Sequence, residues 1–190
     1  MIIDLYRNSP SLKPDSKVYF DANVLIYLFA PTSRPAGQLE SKYSNLLSKI
    51  RKSSADIVID PTVISEYVNT CLRIEYRAKL KTEGLEDAGL KRFRLDYGDW
   101  YDGMAKEVSD HLREILALPN LGLVDTSVGA LDMPLLIDEF ETDRRDWNDQ
   151  IIAELCRKNG YLLVTHDGDF KQEQDLTILT YNGHLAGTLQ

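Results

Sequence analysis

The chain has few of the residues and segments on which several common protein classes depend. It contains only two cysteines, Cys71 and Cys156, without CxxC spacing, which argues against a disulfide framework or a zinc site. We expect both to be core thiols. No apolar run approaches the roughly 18 residues that a membrane helix requires, and the first residues lack a secretory signal pattern. We therefore expect a cytoplasmic protein that does not associate with membranes.

Two nucleotide-binding signatures are also absent. There is no GxxxxGK[ST] segment, which excludes a P-loop nucleotidase, and no GxGxxG segment, which excludes a Rossmann dehydrogenase. No Ser-His-Asp triad can be assigned, because sequence spacing does not reveal one.

Positive charge is scarce as well. The chain has 22 Lys and Arg against 30 Asp and Glu, for a formal net charge of -8. This is unexpected for a nucleic-acid binder, because phosphate affinity normally comes from Lys and Arg that release condensed counterions. If nucleic acid is the substrate, the charge must be offset by metal ions held among carboxylates, or by a local basic region. The sequence contains candidates for both.

The remaining composition is typical of a globular protein and predicts one domain spanning residues 1–190. Apolar runs predict strands, and amphipathic spacing predicts helices between them. This alternation predicts an α/β fold whose central parallel sheet is covered by helices on both faces. The predicted strands are Lys17–Phe20, Ile57–Ile59, Tyr161–Thr165 and Leu176–Thr180.

Four helical regions are predicted. One begins at Val24, and a second covers Leu39–Ile50 after a loop containing Pro31 and Pro35. Asp60 and Pro61 form a helix start that opens a helical hairpin over about residues 61–117, with one break near Gly84 and Gly89. The last helix, Asn148–Lys158, is closed by Gly160.

Acidic residues follow or flank these strands. Asp21 and Asp167 come just after strands, Asp149 lies in the first turn of the last helix, and Glu66 lies about a turn and a half into its helix. Ligands of parallel sheets bind beyond the carboxyl ends of the strands. Carboxylates gathered there would repel one another unless a cation or protons are present, and hard oxygen ligands suit Mg²⁺ or Mn²⁺. Hydrolysis of a phosphodiester is the reaction that such a site favours.

The same residues carry a resemblance. FDANVLIYLF, VISEYV, NDQIIAEL and LLVTHDGDF resemble, in order, the four acidic motifs of PIN-domain nucleases. The match spans about residues 17–180. By position it implies Asp21, Glu66, Asp149 and Asp167 as catalytic, metal-binding residues, with Asn23 and Thr165 supporting them. Asp169 is a further candidate metal ligand, which would assist in place of Asp167.

The resemblance also implies fold and function. It implies a PIN-like three-layer α/β/α fold, here with an enlarged helical hairpin insertion. It implies a Mg²⁺- or Mn²⁺-dependent ribonuclease acting on RNA, and a chain of this kind most resembles VapC-like toxins. A small antitoxin protein is then an expected partner, and a homodimer is also compatible. The longer stretch between Glu66 and Asp149, and the 16 residues before the first predicted strand, depart from compact family members.

Several alternatives remain open. His166 lies beside the site, but we expect it to be incidental. The basic stretch over residues 73–94 is explained equally well by RNA binding and by an ordinary solvated helix face, and partner binding is a third reading. A phosphatase of the haloacid-dehalogenase type would need an acid where Asn23 stands. A degenerate PIN domain that binds RNA without cleaving it is the non-enzymatic alternative.

Overall fold

The computed structural model describes residues 1–30, 37–127, 129–142, 145–173 and 175–187. The predicted loop at Pro31 and Pro35 lies outside the described residues. The strands are β1 (Ile2–Asp4), β2 (Lys17–Phe20), β3 (Asp56–Ile59), β4 (Leu121–Leu123), β5 (Leu162–Val164) and β6 (Thr177–Thr180). The helices are α1 (Ala22–Phe29), α2 (Gln38–Ser53), α3 (Pro61–Glu83), α4 (Leu90–Asp96), α5 (Gly98–Leu116), α6 (Met133–Thr142) and α7 (Trp147–Asn159), with a 3-10 helix at Gly168–Gln172.

The six strands form one sheet in the order β1-β6-β5-β2-β3-β4, and every neighbouring pair is parallel. From β2 the chain moves through β3 to β4, and it then returns through α6 and α7 to β5 on the other side of β2. The gap between β2 and β5 is therefore the point at which the direction of strand addition reverses. Crevices at such points are the usual ligand sites of open parallel sheets.

Helices cover both faces of the sheet, as the three-layer prediction requires. The central strands are buried on both sides, and Tyr19, Phe20, Leu163 and Val164 have no exposed surface. On the helical layers, α1 packs against α2 and α3, α3 packs against α5, and α6 packs against α7. Both cysteines are buried and free, as expected for core thiols.

Local sequence signals account for the helix ends nearest the site. The side chain of Asp60 accepts a hydrogen bond from the Val63 backbone N–H at 2.8 Å, so the predicted N-cap of α3 is confirmed. Gly160 ends α7 with a φ of 67°, a left-handed conformation that glycine adopts without strain. Within the described residues, every helix is too short or too polar to cross a bilayer.

Three elements were not predicted. The residues before Lys17 include an edge strand, β1, which pairs with β6, so the first predicted strand is in fact the second. The short edge strand β4 and the helix α6 were also missed. The region predicted as a hairpin with one break has a second interruption at Tyr97, between α4 and α5.

Candidate metal centre

Asp21 stands at the reversal point of the sheet. It follows β2, occupies the N-cap position of α1 and is only 3% exposed. Its side chain does not cap the helix. The carboxylate instead accepts a hydrogen bond from Thr165 Oγ1 at 2.6 Å and another from Asn23 Nδ2. These two hydrogen bonds hold the carboxyl group in the crevice between β2 and β5.

Thr165 connects the two sides of that crevice. It follows β5, is fully buried, and sits beside Asp21 because Phe20 and Val164 are register partners. Its hydroxyl donates to Asp21 and accepts from Asn23 Nδ2 at 3.1 Å and from the Asp167 backbone N–H at 2.9 Å. Asn23 Oδ1 in turn accepts from the backbone N–H of His166 at 2.9 Å. One hydroxyl therefore fixes the positions of Asp21, Asn23 and the start of the loop after β5.

Three further carboxyl groups converge opposite Asp21. One oxygen from each of Asp149, Asp167 and Asp169 lies within 4.8 Å of the others. The Asp167 side chain accepts from the backbone N–H of Asp169 at 3.0 Å, which holds the two loop acids in a fixed turn. Asp149 is buried in the first turn of α7. The sequence placed these residues on separate segments, and the fold brings them together.

The pKa values show that these acids share one electrostatic environment. Burial raises the pKa of Asp21 to about 6, and the neighbouring charge of Asp167 adds to the rise. Burial, followed by the charge of Asp21, raises the pKa of Glu66 to about 7. Asp149 is affected most, because burial and then the charge of Asp146 raise its pKa to about 8. Glu66, on α3, is thereby placed within electrostatic range of the carboxyl groups on the other elements.

This donor set fits a divalent cation. All the side chains that converge are carboxylates, the ligands that Mg²⁺ and Mn²⁺ prefer, and three of their oxygens are already close enough to share one ion. Without a cation the raised pKa values record, first, the cost of burying these carboxyl groups and, second, the repulsion between their charges. A bound cation would relieve this repulsion and return the acids to their ionised form.

Comparison with known proteins was consistent with this geometry. The model of the PIN domain family matches residues 18–175, which is most of the chain. The chain belongs to the PIN-domain family. The family is one of nucleases that generally use divalent metals, so membership supports a nuclease activity and agrees with the acidic edge.

A solved structure shares this PIN fold. The chain is similar to a chain of VapBC2 from Rickettsia felis, which was solved bound to a DNA fragment from their promoter. The identity is 16%, the TM-score is 0.54, and the alignment covers 86% of this chain and 98% of that chain. No curated protein sequence matched the chain. The predicted PIN resemblance is confirmed by the family match, and at this identity the likeness to the solved structure shows the fold alone.

The structure brings Asp149, Asp167 and Asp169 together in one carboxylate group. Among the described residues this group does not include Asp21 or Glu66, whose charges nevertheless act on Asp149. Asp169 was predicted as a metal ligand that assists in place of Asp167, and the structure puts both in the group. Asp146, the N-cap residue of α7, is not among the residues that the four motifs imply. It does cap that helix, accepting from the Asp149 backbone N–H at 3.0 Å, yet its charge also acts on Glu66 and Asp149. The sequence signal for this residue was its position three residues before Asp149, which is the spacing of a helix N-cap from the N–H that it accepts.

His166 belongs to an aromatic cluster. Its Nδ1 lies 3.0 Å from the Tyr43 hydroxyl, and its ring meets that of Tyr27 edge-on, with 5.3 Å between centroids. These contacts give the imidazole a packing role beside the site.

An ion-pair network ties together the two acidic segments of the PIN domain. Arg145, whose side chain is only 8% exposed, precedes Asp146 and binds Glu173 at 2.5 Å. Glu173 follows the 3-10 helix that Asp167 caps, and its other oxygen binds Arg157 of α7 at 3.2 Å. The network therefore fixes the start of α7 relative to the loop that carries Asp167 and Asp169.

A cavity of about 670 Å³ lies at the other edge of the sheet. Its lining includes Lys17 and Asp56 at the amino ends of β2 and β3, and Tyr161 just before β5. None of the converging carboxylates is among its described lining residues. Because the cavity lacks the converging carboxylates, we place the chemistry at the carboxyl edge.

Proposed function

We propose that this PIN domain is a divalent-metal-dependent endoribonuclease that hydrolyses RNA phosphodiester bonds. The observation that carries the proposal is the convergence of Asp149, Asp167 and Asp169 beside the Asp21–Thr165 pair, at the reversal point of a parallel sheet. Both the residue types and their location are those expected for hydrolysis of a polyanion. The RNA preference rests on the family resemblance.

In this proposal each residue has a definite task. Asp149, Asp167 and Asp169 would hold the cation, with Asp21 completing the site from β2. When bound, Mg²⁺ or Mn²⁺ would polarise the phosphodiester, activate water and neutralise charge on the leaving oxygen. Thr165 orients Asp21. Glu66 and Asp149 retain protons near neutral pH in the metal-free protein, and they would release them when the cation takes the place of those protons.

The proposal extends to a biological role as the toxin of a toxin–antitoxin pair. Its support is the VapC-like resemblance together with the fold shared with VapBC2. A small antitoxin would be the partner, and it would have to restrain the acidic crevice in the cell. We therefore expect expression of the wild-type chain alone to arrest growth, whereas Asp149→Asn should not.

Two alternatives give different results in one assay. A PIN domain that only binds RNA would retain binding but show no cleavage. A phosphatase of the haloacid-dehalogenase type would release phosphate from monoesters. That reaction needs an acidic side chain at the position of Asn23, and the amide of asparagine cannot serve as an acid. The alternative that only binds RNA gives no role to the group of carboxyl groups, which are held together at the cost of raised pKa values.

The direct test is cleavage of a labelled mixed RNA pool by purified protein in Mn²⁺, Mg²⁺ or EDTA. Wild type should produce internal cuts only with metal, and Asp21→Asn and Asp149→Asn should lower the rate at least about 100-fold, as expected when a metal ligand is lost. Asp56→Asn is the matched control, because Asp56 is exposed at the opposite edge of the sheet. Cleavage that survives EDTA, or that falls equally in the control, would refute the proposal.

The toxin role has its own test. The chain, tagged and expressed from its native locus, should co-purify with a small protein, and adding that protein should inhibit the cleavage. Recovery of the chain alone, together with normal growth of cells that overexpress it, would count against the toxin role while leaving the nuclease proposal intact.

A further inference from the structure

Helix α3 joins the acidic site to a row of positive charge. The helix begins at the carboxyl end of β3, where Asp60 caps it, and it carries Glu66. Further along, Arg73, Arg77 and Lys81 are all exposed and are spaced four residues apart. We call these three residues the basic stripe.

The basic stripe lies on the same side of α3 as Glu66. At 100° per residue its members lie within about 60° of the direction of Glu66 around the helix axis, and at about 10, 16 and 22 Å from Glu66 along it. The stripe is therefore a straight row of cations that starts near the carboxylates and leads away from them.

The other basic residues of this region are differently placed. Lys79 pairs with Glu83 at 2.8 Å, Arg92 pairs with Asp96 at 2.7 Å, and Arg94 lies over the Tyr101 ring. Those contacts are typical of an ordinary solvated helix surface.

The basic stripe does not follow that pattern. In the described part of the chain, none of its members forms an ion pair within 4.0 Å. No acidic residue stands three or four positions from any of them on either side. Arg77 is near the Asp87 carboxylate, but Asp87 is already bonded to Tyr76 and the Gly89 N–H.

The arrangement has an energetic cost that calls for an explanation. Arg73 and Arg77, and then Arg77 and Lys81, are like charges at i and i+4, which destabilises a helix. A chain with a net charge of -8 has abundant acids with which to balance these positions, but the acids are elsewhere. A bound polyanion would convert the repulsion into attraction.

We propose that the basic stripe binds the phosphate backbone of single-stranded RNA and leads that strand to the carboxylate edge. This inference rests on the proposed nuclease function and adds the path of the substrate. The acidic edge by itself repels a polyanion, so a local row of cations provides the attraction that the overall charge opposes. The row is linear and exposed, which suits a flexible strand that can lie along a helix.

The test is binding of a fluorescent 20-nucleotide single-stranded RNA by anisotropy, in EDTA, with Asp149→Asn as the background so that the strand is not cut. Arg73→Gln/Arg77→Gln/Lys81→Gln should weaken binding at least about tenfold. The slope of log affinity against log salt should fall in magnitude by about 2, since each lost phosphate contact on a single strand removes about 0.7. Lys79→Gln/Lys91→Gln/Arg92→Gln is the control, with the same change in net charge, and it should retain most of the affinity and the slope.

The outcomes separate this inference from the proposed function. Equal weakening in both triple variants, or an unchanged salt slope in the stripe variant, overturns the stripe as an RNA track. Metal-dependent cleavage with no effect of the stripe variant on binding leaves the nuclease and removes the track. Stripe-dependent binding without any cleavage retains the track and removes the nuclease. If the stripe variant instead loses an acidic protein partner while binding RNA normally, the surface belongs to that partner and the inference fails.

Folding is checked with the same proteins. Because the stripe variant removes two like-charge pairs, its melting temperature should equal or exceed that of the parent. In the wild-type background with Mn²⁺, it should raise KM for long RNA and leave kcat nearly unchanged, since the stripe contacts bound strand rather than the reacting phosphate.

Discussion

The Thr165 hydroxyl makes three hydrogen bonds at the centre of the site. It donates to Asp21 and accepts from Asn23 and from the Asp167 backbone, so it links groups from β2, α1 and the loop after β5. Groups that orient metal ligands in this way are commonly worth about 10- to 100-fold in metal affinity. The hydroxyl therefore has a larger role than its small side chain suggests.

Replacing Thr165 by valine removes the hydroxyl and keeps the shape of the side chain. Thr165→Val should weaken Mn²⁺ affinity by about 10- to 100-fold, measured by calorimetry, while the circular dichroism spectrum is retained. Thr180→Val is the matched control, because Thr180 is equally buried and its hydroxyl accepts from the Asn182 N–H rather than bonding to Asp21. Equal losses of affinity in both variants would contradict the role given to Thr165.

Asp149 should destabilise the metal-free protein at high pH, although the proposed metal site needs its carboxylate. Its folded-state pKa is raised from an ordinary 3.8 to about 8, so the folded protein holds this proton more tightly than the unfolded chain. The stabilisation from that proton is present at low pH and is lost as pH rises from about 4 through about 8. In EDTA at pH 9, Asp149→Asn should therefore melt at a higher temperature than wild type.

The pH dependence distinguishes this effect from a general one. At pH 5 Asp149 is protonated, so the difference in melting temperature between Asp149→Asn and wild type should shrink. Asp56→Asn, at an exposed position, should show no comparable change between the two pH values. A variant that is less stable than wild type at pH 9 without metal would rule out this reading of Asp149.

At the scale of elements, the ion-pair network of Arg145, Arg157 and Glu173 holds α7 against the loop that carries Asp167 and Asp169. Removing one partner of a buried pair leaves the other charge uncompensated. Arg145 directly precedes Asp146, the N-cap residue of α7. A shift of Arg145 would therefore also displace Asp149, which lies in the first turn of that helix.

Glu173→Gln should lower the free energy of unfolding by about 3 kcal/mol, measured by urea denaturation, because Arg145 is nearly buried and would lose its 2.5 Å ion pair, leaving the longer one with Glu139 at 3.9 Å. It should also weaken Mn²⁺ binding. Asp110→Asn breaks the ion pairs of Asp110 with Lys106 and Arg113 on the exposed surface of α5, and it should leave the urea midpoint almost unchanged. A Glu173→Gln protein as stable as Asp110→Asn would show that the network is not structural.

The elements that carry the site were predictable because their signals are local. β2, β3 and β5 are apolar runs, and α3 and α7 have an aspartate cap or a terminal glycine. The elements that were missed depend on distant partners. β1 and β4 are three-residue edge strands whose pairing is not encoded locally, and α6 exposes Ile137 and Phe140 instead of showing a clear apolar stripe.

The site shows the same division. Asp21, Asp149 and Asp167 could be named from strand ends and motif order, but the contacts among them could not. That Thr165 bonds to Asp21, and that Asp146 acts on Glu66, follows only from the reversal of strand order and the packing of α3 and α7 at one edge. Local pattern identifies the residues, whereas topology determines which of them interact.

At the scale of the whole molecule, charge is unevenly distributed. The chain has a net charge of -8, a group of its carboxylates converges at the carboxyl edge of the sheet, and the basic stripe of α3 extends away from that edge. A cation at the edge would reduce the repulsion between protein and substrate at the place where cleavage occurs. The central claim is therefore that the carboxyl edge is a divalent-cation site.

That claim is tested most directly by titrating Mn²⁺ into the protein at pH 7.5 and following heat and proton release in two buffers of different ionisation enthalpy. Wild type should bind in a saturable manner and release protons, because Glu66 and Asp149 retain protons near this pH in the metal-free state. Asp149→Asn should lose most of the binding, and Asp56→Asn should bind as wild type does. The absence of saturable binding, or equal binding by wild type and Asp149→Asn, would contradict the account.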